Sequence, residues 1–300
     1  MNEDINSESG GHRSGYVAIV GKPNAGKSTL LNALLGQKLS IVTAKPQTTR
    51  HRVLGILSDA ESQIIFLDTP GVIEPRYGLQ ESMMRSVRRA VVDADLILFI
   101  ADVTRESPDT LSLAELGNVP AVLVLNKMDL IRSEDALPLV EKYTSLRTFA
   151  DVVPVSARKK TNLDVLTEVI TARIPEGPPF YPKDQVSEHP ERFFVAEIIR
   201  EKIFQKFGQE VPYSTQVNIV DFTEKSDSGK DIIDAEIVVE RDSQKAILIG
   251  KNGAAVKEVG IRARKSIELF LERPVYLRLF VKVRKGWRDS DTQLRSFGYD

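Results

Sequence analysis

Apolar runs and helical patterns alternate along the first half of the chain. Continuous apolar runs occupy residues 16–20, 52–57, 64–67, 96–101, 121–125 and 152–155. Patterns at helical spacing lie near 27–35, 80–92, 109–116, 134–148 and 162–173. Runs that are apolar throughout, rather than alternating, predict strands covered on both faces. That means a largely parallel sheet with helices on each side. The third run follows the second so closely that an antiparallel edge hairpin is expected there. The pattern then breaks. Residues 174–190 hold Pro175, Pro178, Pro179, Pro182 and Pro190, five of the chain's fifteen prolines, which marks a linker without regular structure. Beyond it, residues 193–207 read as a helix, and 215–222 and 231–240 as strands. Residues 245–249 lead into a glycine turn, 256–271 read as a helix and 275–283 as a strand. The order helix–strand–strand–helix–helix–strand describes a small α+β domain. The expected organisation is a disordered leader (1–15), an α/β domain (16–174), a linker (175–190) and a second domain (191–300).

Composition narrows the class. An apolar content of 42% with 28% charged residues is that of a soluble globular protein. The absence of cysteine excludes disulfides and thiolate metal sites, and is compatible with a cytoplasmic location. The polar leader has no apolar core, so it is not a secretory signal. The longest apolar runs are strand-sized, far short of the ~20 residues that span a bilayer.

The first strand and helix are joined by Gly21-Lys22-Pro23-Asn24-Ala25-Gly26-Lys27-Ser28, with Thr29 next. Gly-x-x-x-x-Gly-Lys-Ser between a strand and a helix is the phosphate-cradling loop of nucleotidases. Its backbone N–H groups and the helix N-terminus behind them attract phosphate. Lys27 should reach the β- and γ-phosphates, and Ser28 should ligate magnesium. Asp68-Thr69-Pro70-Gly71 ends the third run, where a carboxylate can hold the magnesium shell and the Gly71 N–H can approach the γ-phosphate. Asn126-Lys127-Met128-Asp129 follows the fifth run. An Asp129 carboxylate can accept hydrogen bonds from guanine's ring N–H and amine, a donor pair that adenine lacks. Asn126 would brace the loop and the Lys127 stem would cover the base. Ser156 and Ala157 follow the sixth run, where backbone groups can contact guanine's carbonyl. Between the first helix and second strand, Lys45-Pro-Gln-Thr-Thr49-Arg-His-Arg52 offers a threonine for the magnesium shell. Thr49 is assigned, with Thr48 adjacent.

With these elements in order, residues 16–174 resemble a small GTPase of the translation-factor-related class. Gln-Thr-Thr-Arg-His-Arg and Asp-Thr-Pro-Gly are more particular, and resemble the Era family of bacterial GTPases from Tyr16 to Asp300. After Asp-x-x-Gly, Ras-like proteins place a water-orienting glutamine. Here Val72 stands there, as in the Era group, which implies slow intrinsic hydrolysis. Lys27, Thr49 and Gly71 then carry the catalysis. The resemblance also raises potassium binding at Asn24, as in related potassium-stimulated GTPases.

Ile249-Gly250-Lys251-Asn252-Gly253 forms a Gly-x-x-Gly loop, read as lying between a strand and a helix. In KH domains such a loop clamps about four single-stranded nucleotides. From Lys245 to Arg288 there are twelve Lys or Arg, Lys257 among them, against three acids, inside a chain of net charge −1. That imbalance is the footprint of a phosphate-backbone partner. The element order is similar to the type II KH fold of Era proteins. The resemblance implies binding of 16S rRNA near its 3′ end during assembly of the 30S subunit, by a monomer with possible peripheral contact to the inner membrane. Trp287 would stack on a base or pack the last strand, with packing favoured. A nucleotide kinase would not need Asn126-Lys-x-Asp129. A degenerate GTPase carrying an RNA module would not need intact Lys27, Ser28, Asp68 and Asp129.

Overall fold

The computed structural model describes residues 11–224 and 229–299. It divides into two units. The first takes in residues up to 38 together with 52–72 and 87–188; the second takes 39–51, 73–86 and 189 onwards.

In the first unit the order is β1 (Arg13–Val20), α1 (Lys27–Leu35), β2 (Val53–Ser58), β3 (Ser62–Asp68), α2 (Gly78–Asp93), β4 (Leu96–Asp102), α3 (Thr110–Ala114), β5 (Ala121–Asn126), α4 (Leu137–Leu146), β6 (Asp151–Pro154) and α5 (Leu163–Thr171). The two halves of α2 fall in different units. The six strands lie in the order β2-β3-β1-β4-β5-β6. All neighbours are parallel except β2 and β3, the antiparallel edge hairpin expected from the spacing. Strands β1, β3, β4 and β5 are buried almost throughout, because helices cover both faces. One core packs Val17, Ile19, Phe66, Leu98 and Val124 under Leu30 and Leu31 of α1 and Leu166 and Ile170 of α5.

Strand order reverses direction of build at β1, which has β3 on one side and β4 on the other. Open α/β sheets bind ligands outside the carboxyl ends of strands at such a switch point. The carboxyl ends of β1, β3, β4, β5 and β6 are followed by Gly21, Thr69, Val103, Lys127 and Val155. Every candidate nucleotide residue of this unit therefore emerges on one edge of the sheet.

Two sequence expectations change here. Arg13 to Gly15, assigned to the leader, belong to β1, because β1 pairs with β3 from Arg13 opposite Ser62. Residues 1–10 of that leader lie outside the described residues. The proline-rich segment has no regular element, but it is held against the sheet. Ile56 N–H donates to Val186 O at 2.8 Å, and the buried Gln63 carboxamide bonds both the N–H and the carbonyl of Tyr181. The Ile56 bond covers part of the outer edge of β2, which would otherwise offer unpaired groups to another strand.

The second unit contains α6 (Glu191–Lys206), β7 (Gln216–Thr223), β8 (Asp231–Val239), α7 (Asp242–Ile249), α8 (Ala254–Leu271), β9 (Val275–Val283) and α9 (Asp291–Ser296). Its sheet runs β7-β8-β9, antiparallel then parallel. Alternate residues Ile233, Ala235, Ile237 and Val239 of β8 meet Val259, Ala263 and Ile267 of α8, spaced one helical turn apart, and Val195, Ile199 and Ile203 of α6.

Residues 242–249 form a helix, in keeping with the expected order of elements, and this corrects the reading of the Gly-x-x-Gly loop as following a strand. The Ala-Ile-Leu-Ile run is β-like in composition, yet Leu248 is buried and Ile247 is about half exposed. Gln244 starts the helix by accepting the N–H groups of Glu240 and Arg241, both at 3.0 Å. The Gly-x-x-Gly loop thus joins two helices rather than a strand and a helix.

Candidate functional site

β1 delivers the chain into the phosphate loop, and α1 begins at Lys27 with Gly26 as its N-cap at φ 103°. Glycine at the N-cap supplies no side-chain cap, and a helix start of this kind attracts phosphate. Only glycine fits at position 26, since a Cβ there would lie 2.1 Å from Asn126 Nδ2. Lys27 Nζ donates to the carbonyls of Gly21 (3.0 Å) and Lys22 (2.9 Å). Burial pulls its ammonium down to about 8, against the opposing pull of Asp68 and Asp109.

Ser28 Oγ donates to Asp68 Oδ2 at 2.7 Å, which brings together two of the three predicted magnesium ligands. Among the described residues no group of three or more His, Cys, Asp or Glu could hold a metal ion. A metal at Ser28 and Asp68 would draw further oxygens from phosphate, water and any hydroxyl brought to it. Magnesium is usually held in that way, so the donor set fits it. Thr69 Oγ1 donates to Ile19 O at 2.7 Å, fixing the loop after β3. Val72 is buried and its N–H donates to Gly21 O at 3.2 Å. Gly71 lies so close to the phosphate loop that a Cβ would meet Pro23 N at 2.6 Å.

On the base side, Asn126 ties three loops together. Its Nδ2 donates to Ala25 O at 2.8 Å, and its Oδ1 accepts from Ala157 N at 3.0 Å. Ser156 Oγ donates to Asp129 Oδ1 at 2.6 Å and accepts from Lys159 N at 3.1 Å. Asp129 is exposed, so a base would have to cover the carboxylate before burial could enforce selectivity. Sequence reasoning missed Asp102. This acid ends β4 opposite Asn126 in register, and its Oδ2 accepts from Lys127 Nζ at 2.7 Å. Burial pushes its carboxyl up, but the bonds from Lys127 and Thr104 outweigh that and hold it below the usual range. An acid closing an otherwise apolar strand run was the available signal.

Thr49 lies in the second unit, apart from Ser28 and Asp68 in the division of the chain. Its segment, 39–51, is held to α6 and the turn after it. Lys45 Nζ donates to the carbonyls of Phe204 and Phe207, and Arg200 donates to Thr48 O. Arg50 donates to Thr215 O (2.7 Å), Tyr213 O (2.9 Å) and Pro212 O (3.0 Å). The Thr48 hydroxyl is engaged with Thr43 Oγ1 and Lys45 O.

In the Gly-x-x-Gly loop, Gly250, Asn252 and Gly253 take φ of 71°, 52° and 75°. Lys251 and Asn252 are exposed, and Ile249 is partly buried. α8 starts after Gly253 without a side-chain cap. Beside the loop runs a groove of about 330 Å³ between Lys257, Gly260, Ile261 and Arg264 of α8 and Leu277 and Leu279 of β9. Of these, the sequence reading named Lys257 as a site residue. A glycine inside a helix, flanked by Ile261 and Arg264, was the signal for the others. The basic region is narrower than its residue count. Acids of β8 and of the residue after it pair with cations of β9 and beyond: Asp234 with Arg278, Glu236 with Lys282 and Arg284, and Glu240 with Arg288. Trp287 is fully buried and donates to Ser214 O at 3.0 Å, so it packs rather than stacks on a base.

A family of 50S ribosome-binding GTPases matches residues 16–127, and the KH domain family matches residues 210–288. Fold, site and these matches define a P-loop GTPase carrying a KH domain. The chain is 49% identical to the chloroplastic GTPase ERA1 of Zea mays, covering 96% of this chain and 71% of the relative. It is 44% identical to GTPase Era of Heliobacterium modesticaldum, covering 96% and 97%. The chain belongs to the GTPase Era family. Two solved structures align with TM-scores of 0.91 at 43% identity, covering 96% of this chain and 99% of theirs. One is an Era variant of Aquifex aeolicus bound to GDP.AlF4-. The other is Era in complex with MgGDPNP and nucleotides 1506–1542 of 16S ribosomal RNA.

Proposed function

We propose that this GTPase is a switch that binds single-stranded 16S rRNA near its 3′ end and acts in assembly of the 30S subunit. The phosphate loop from Gly21 to Thr29 holds the nucleotide, with Lys27 on the β- and γ-phosphates. Ser28 and Asp68 hold magnesium, which when bound neutralises charge on the phosphate oxygens. Gly71 N–H faces the γ-phosphate, Thr69 and Pro70 shape that loop, and Thr49 joins when triphosphate is present. Asn126, Lys127, Asp129, Ser156 and Ala157 read guanine. Val72 offers no polar group to orient water, so intrinsic hydrolysis is slow. Asn24 binds a potassium ion beside the phosphates; equal hydrolysis rates in potassium and sodium buffers would refute this. Ile249 to Gly253 and Lys257 clamp RNA.

One observation carries the switch. The loop bearing Thr49 is anchored to α6 of the second unit by Lys45 and Arg200, and to the turn before β7 by Arg50. A group that captures Thr49 acts on that anchorage. The reading includes a cytoplasmic monomer with peripheral membrane contact through its basic surface. Among the described residues no helix is long and apolar enough to cross a membrane.

Affinity for the 3′-terminal segment of 16S rRNA, measured with a GTP analogue and with GDP, tests the reading. Affinity should differ between the two states. Gly253→Asp should abolish RNA binding while nucleotide binding survives, because the added acid repels phosphate; the φ of 75° strains the side chain locally, but its Cβ meets no packed neighbour within 4 Å. Asp129→Asn should shift preference from GTP towards XTP. Unchanged RNA affinity in Gly253→Asp, or unchanged GTP preference in Asp129→Asn, defeats the corresponding assignment.

A further inference from the structure

We infer that Asp102 is a positioning residue that sets how long a guanine nucleotide stays bound, by pinning the Lys127 side chain. The inference rests on the reading of Asn126 to Asp129 as the guanine loop, and it concerns a residue outside that loop.

Asp102 is the last residue of β4 and pairs in register with Asn126, the last residue of β5. Its side chain is 10% exposed. Both carboxylate oxygens are committed. Oδ2 accepts from Lys127 Nζ at 2.7 Å, while Oδ1 accepts from Thr104 N at 3.0 Å and from Thr104 Oγ1 at 2.7 Å. The two bonds from Thr104 stop the carboxylate from turning away from the lysine. Arg105 Nε is 3.8 Å from Oδ2, but its side chain is 74% exposed, so it adds little.

The effect on Lys127 is specific. A free lysine side chain is among the most rotamer-rich, and ordering it on binding is costly. Here the backbone of Lys127 is already fixed at φ 71°, and its ammonium is fixed at the end of β4. The four-carbon stem is therefore stretched between two anchors before any base arrives. A pre-ordered apolar stem covers a purine face without a further entropic penalty. The gain should fall mainly on dissociation, because related variants of one site differ mostly in their off-rates. Asp102 also closes the turn to Thr104, so a purely structural role is the competing explanation. Coupling to Lys127 distinguishes the two.

Dissociation of a fluorescent GDP analogue from the full chain, by stopped flow, is the measurement. Asp102→Ala should release the nucleotide about tenfold faster, the scale of one lost charge-assisted hydrogen bond. Asp102→Asn keeps an oxygen acceptor and should fall between, and it carries the test if the alanine variant does not fold. In a Lys127→Ala background, Asp102→Ala should add less than about twofold, because the two residues act as one unit. Preference for GTP over XTP should not move. Wild-type release rates in Asp102→Ala and Asp102→Asn overturn the inference, as does full acceleration in the Lys127→Ala background. If the wild-type chain holds ADP as firmly as GDP, the guanine reading itself fails, which is a separate outcome.

Discussion

Asn126→Ala removes one small side chain and leaves two buried backbone groups without partners. Ala25 O loses a donor at 2.8 Å, and Ala157 N–H loses an acceptor at 3.0 Å. Each orphaned buried group costs about 1–3 kcal/mol. Water entering the vacated space recovers part of that, so a loss of about 2–4 kcal/mol is expected. Against a total of about 5–15 kcal/mol for a domain, that is a large fraction. The damage should be greater with nucleotide, because the two loops that Asn126 joins are those assigned to phosphate and base. GDP stabilises the native state according to its concentration relative to Kd, so a weakened site loses that increment as well. Urea unfolding with and without GDP measures both. Asn126→Asp is the sharper comparison: it keeps the acceptor for Ala157 N–H but sets a carboxylate against Ala25 O, so it should bind GDP no better than the alanine variant. A stability loss under about 1 kcal/mol, with GDP affinity preserved, would refute the bridging role.

Gly71→Ala places a Cβ 2.6 Å from Pro23 N and 2.7 Å from Pro23 Cα. Backbone must yield, at about 1–3 kcal/mol, and GDP affinity should fall with it; calorimetric titration showing wild-type affinity and an unchanged melting temperature would exclude the clash. His51 stacks on Tyr299 at 4.2 Å and meets the edge of Phe193 at 5.7 Å. Burial lowers its imidazole to about 4, with Arg200, Arg50 and His189 adding to the fall and Glu197 opposing it. A folded value below the unfolded one means the native state favours the neutral ring. The contribution is therefore complete above about pH 6.5 and is lost as pH drops towards 4. The whole shift corresponds to roughly 3 kcal/mol, and partial solvent access reduces it to about 1–2 kcal/mol. Denaturant stability should fall between pH 6.5 and 5 in the wild type and fall less in His51→Gln; equal slopes would contradict this.

The α/β sheet was legible because β1, β3, β4 and β5 are buried on both faces and so read as unbroken apolar runs. The phosphate loop was legible because its chemistry demands fixed residues at fixed spacing within a few positions. What escaped notice depends on contacts between distant segments. Asp102 is a single acid whose meaning comes from lying opposite Asn126 across a parallel strand pair. The groove beside the Gly-x-x-Gly loop needs α8 and β9 together, and no local pattern in either announces the other. The helix at Asp242–Ile249, present in the expected order of elements, was still read as a strand where it meets the Gly-x-x-Gly loop, for a different reason. Its β-branched residues favour a strand, and a single carboxamide, Gln244, tips the start towards a helix. Charge misled in the same way. A linear window found twelve cations and three acids, but the neutralising acids are on β8 and just after it, upstream of the window.

The anchorage of residues 39–51 bounds what a switch could do. Arg50 and Arg200 are each 1% exposed. Arg50 meets three carbonyls, and Arg200 bonds Thr48 O and Glu197. Breaking such bonds inside the fold would leave buried cations without partners, at several kcal/mol apiece. No ligand can shift an equilibrium by more than its differential affinity for the two states, and moving a population from 1:99 to 99:1 takes about 5.5 kcal/mol. Tearing both arginines away would exceed what one added threonine–magnesium contact supplies. The economical movement keeps the arginines seated, with Thr48 O still held by Arg200, and rearranges the stretch from Ala44 to Gln47, where Lys45 grips the end of α6. On that reasoning Lys45→Ala should alter the response of RNA affinity to GTP while leaving the fold intact. Arg50→Ala should destabilise the fold before any coupling can be measured.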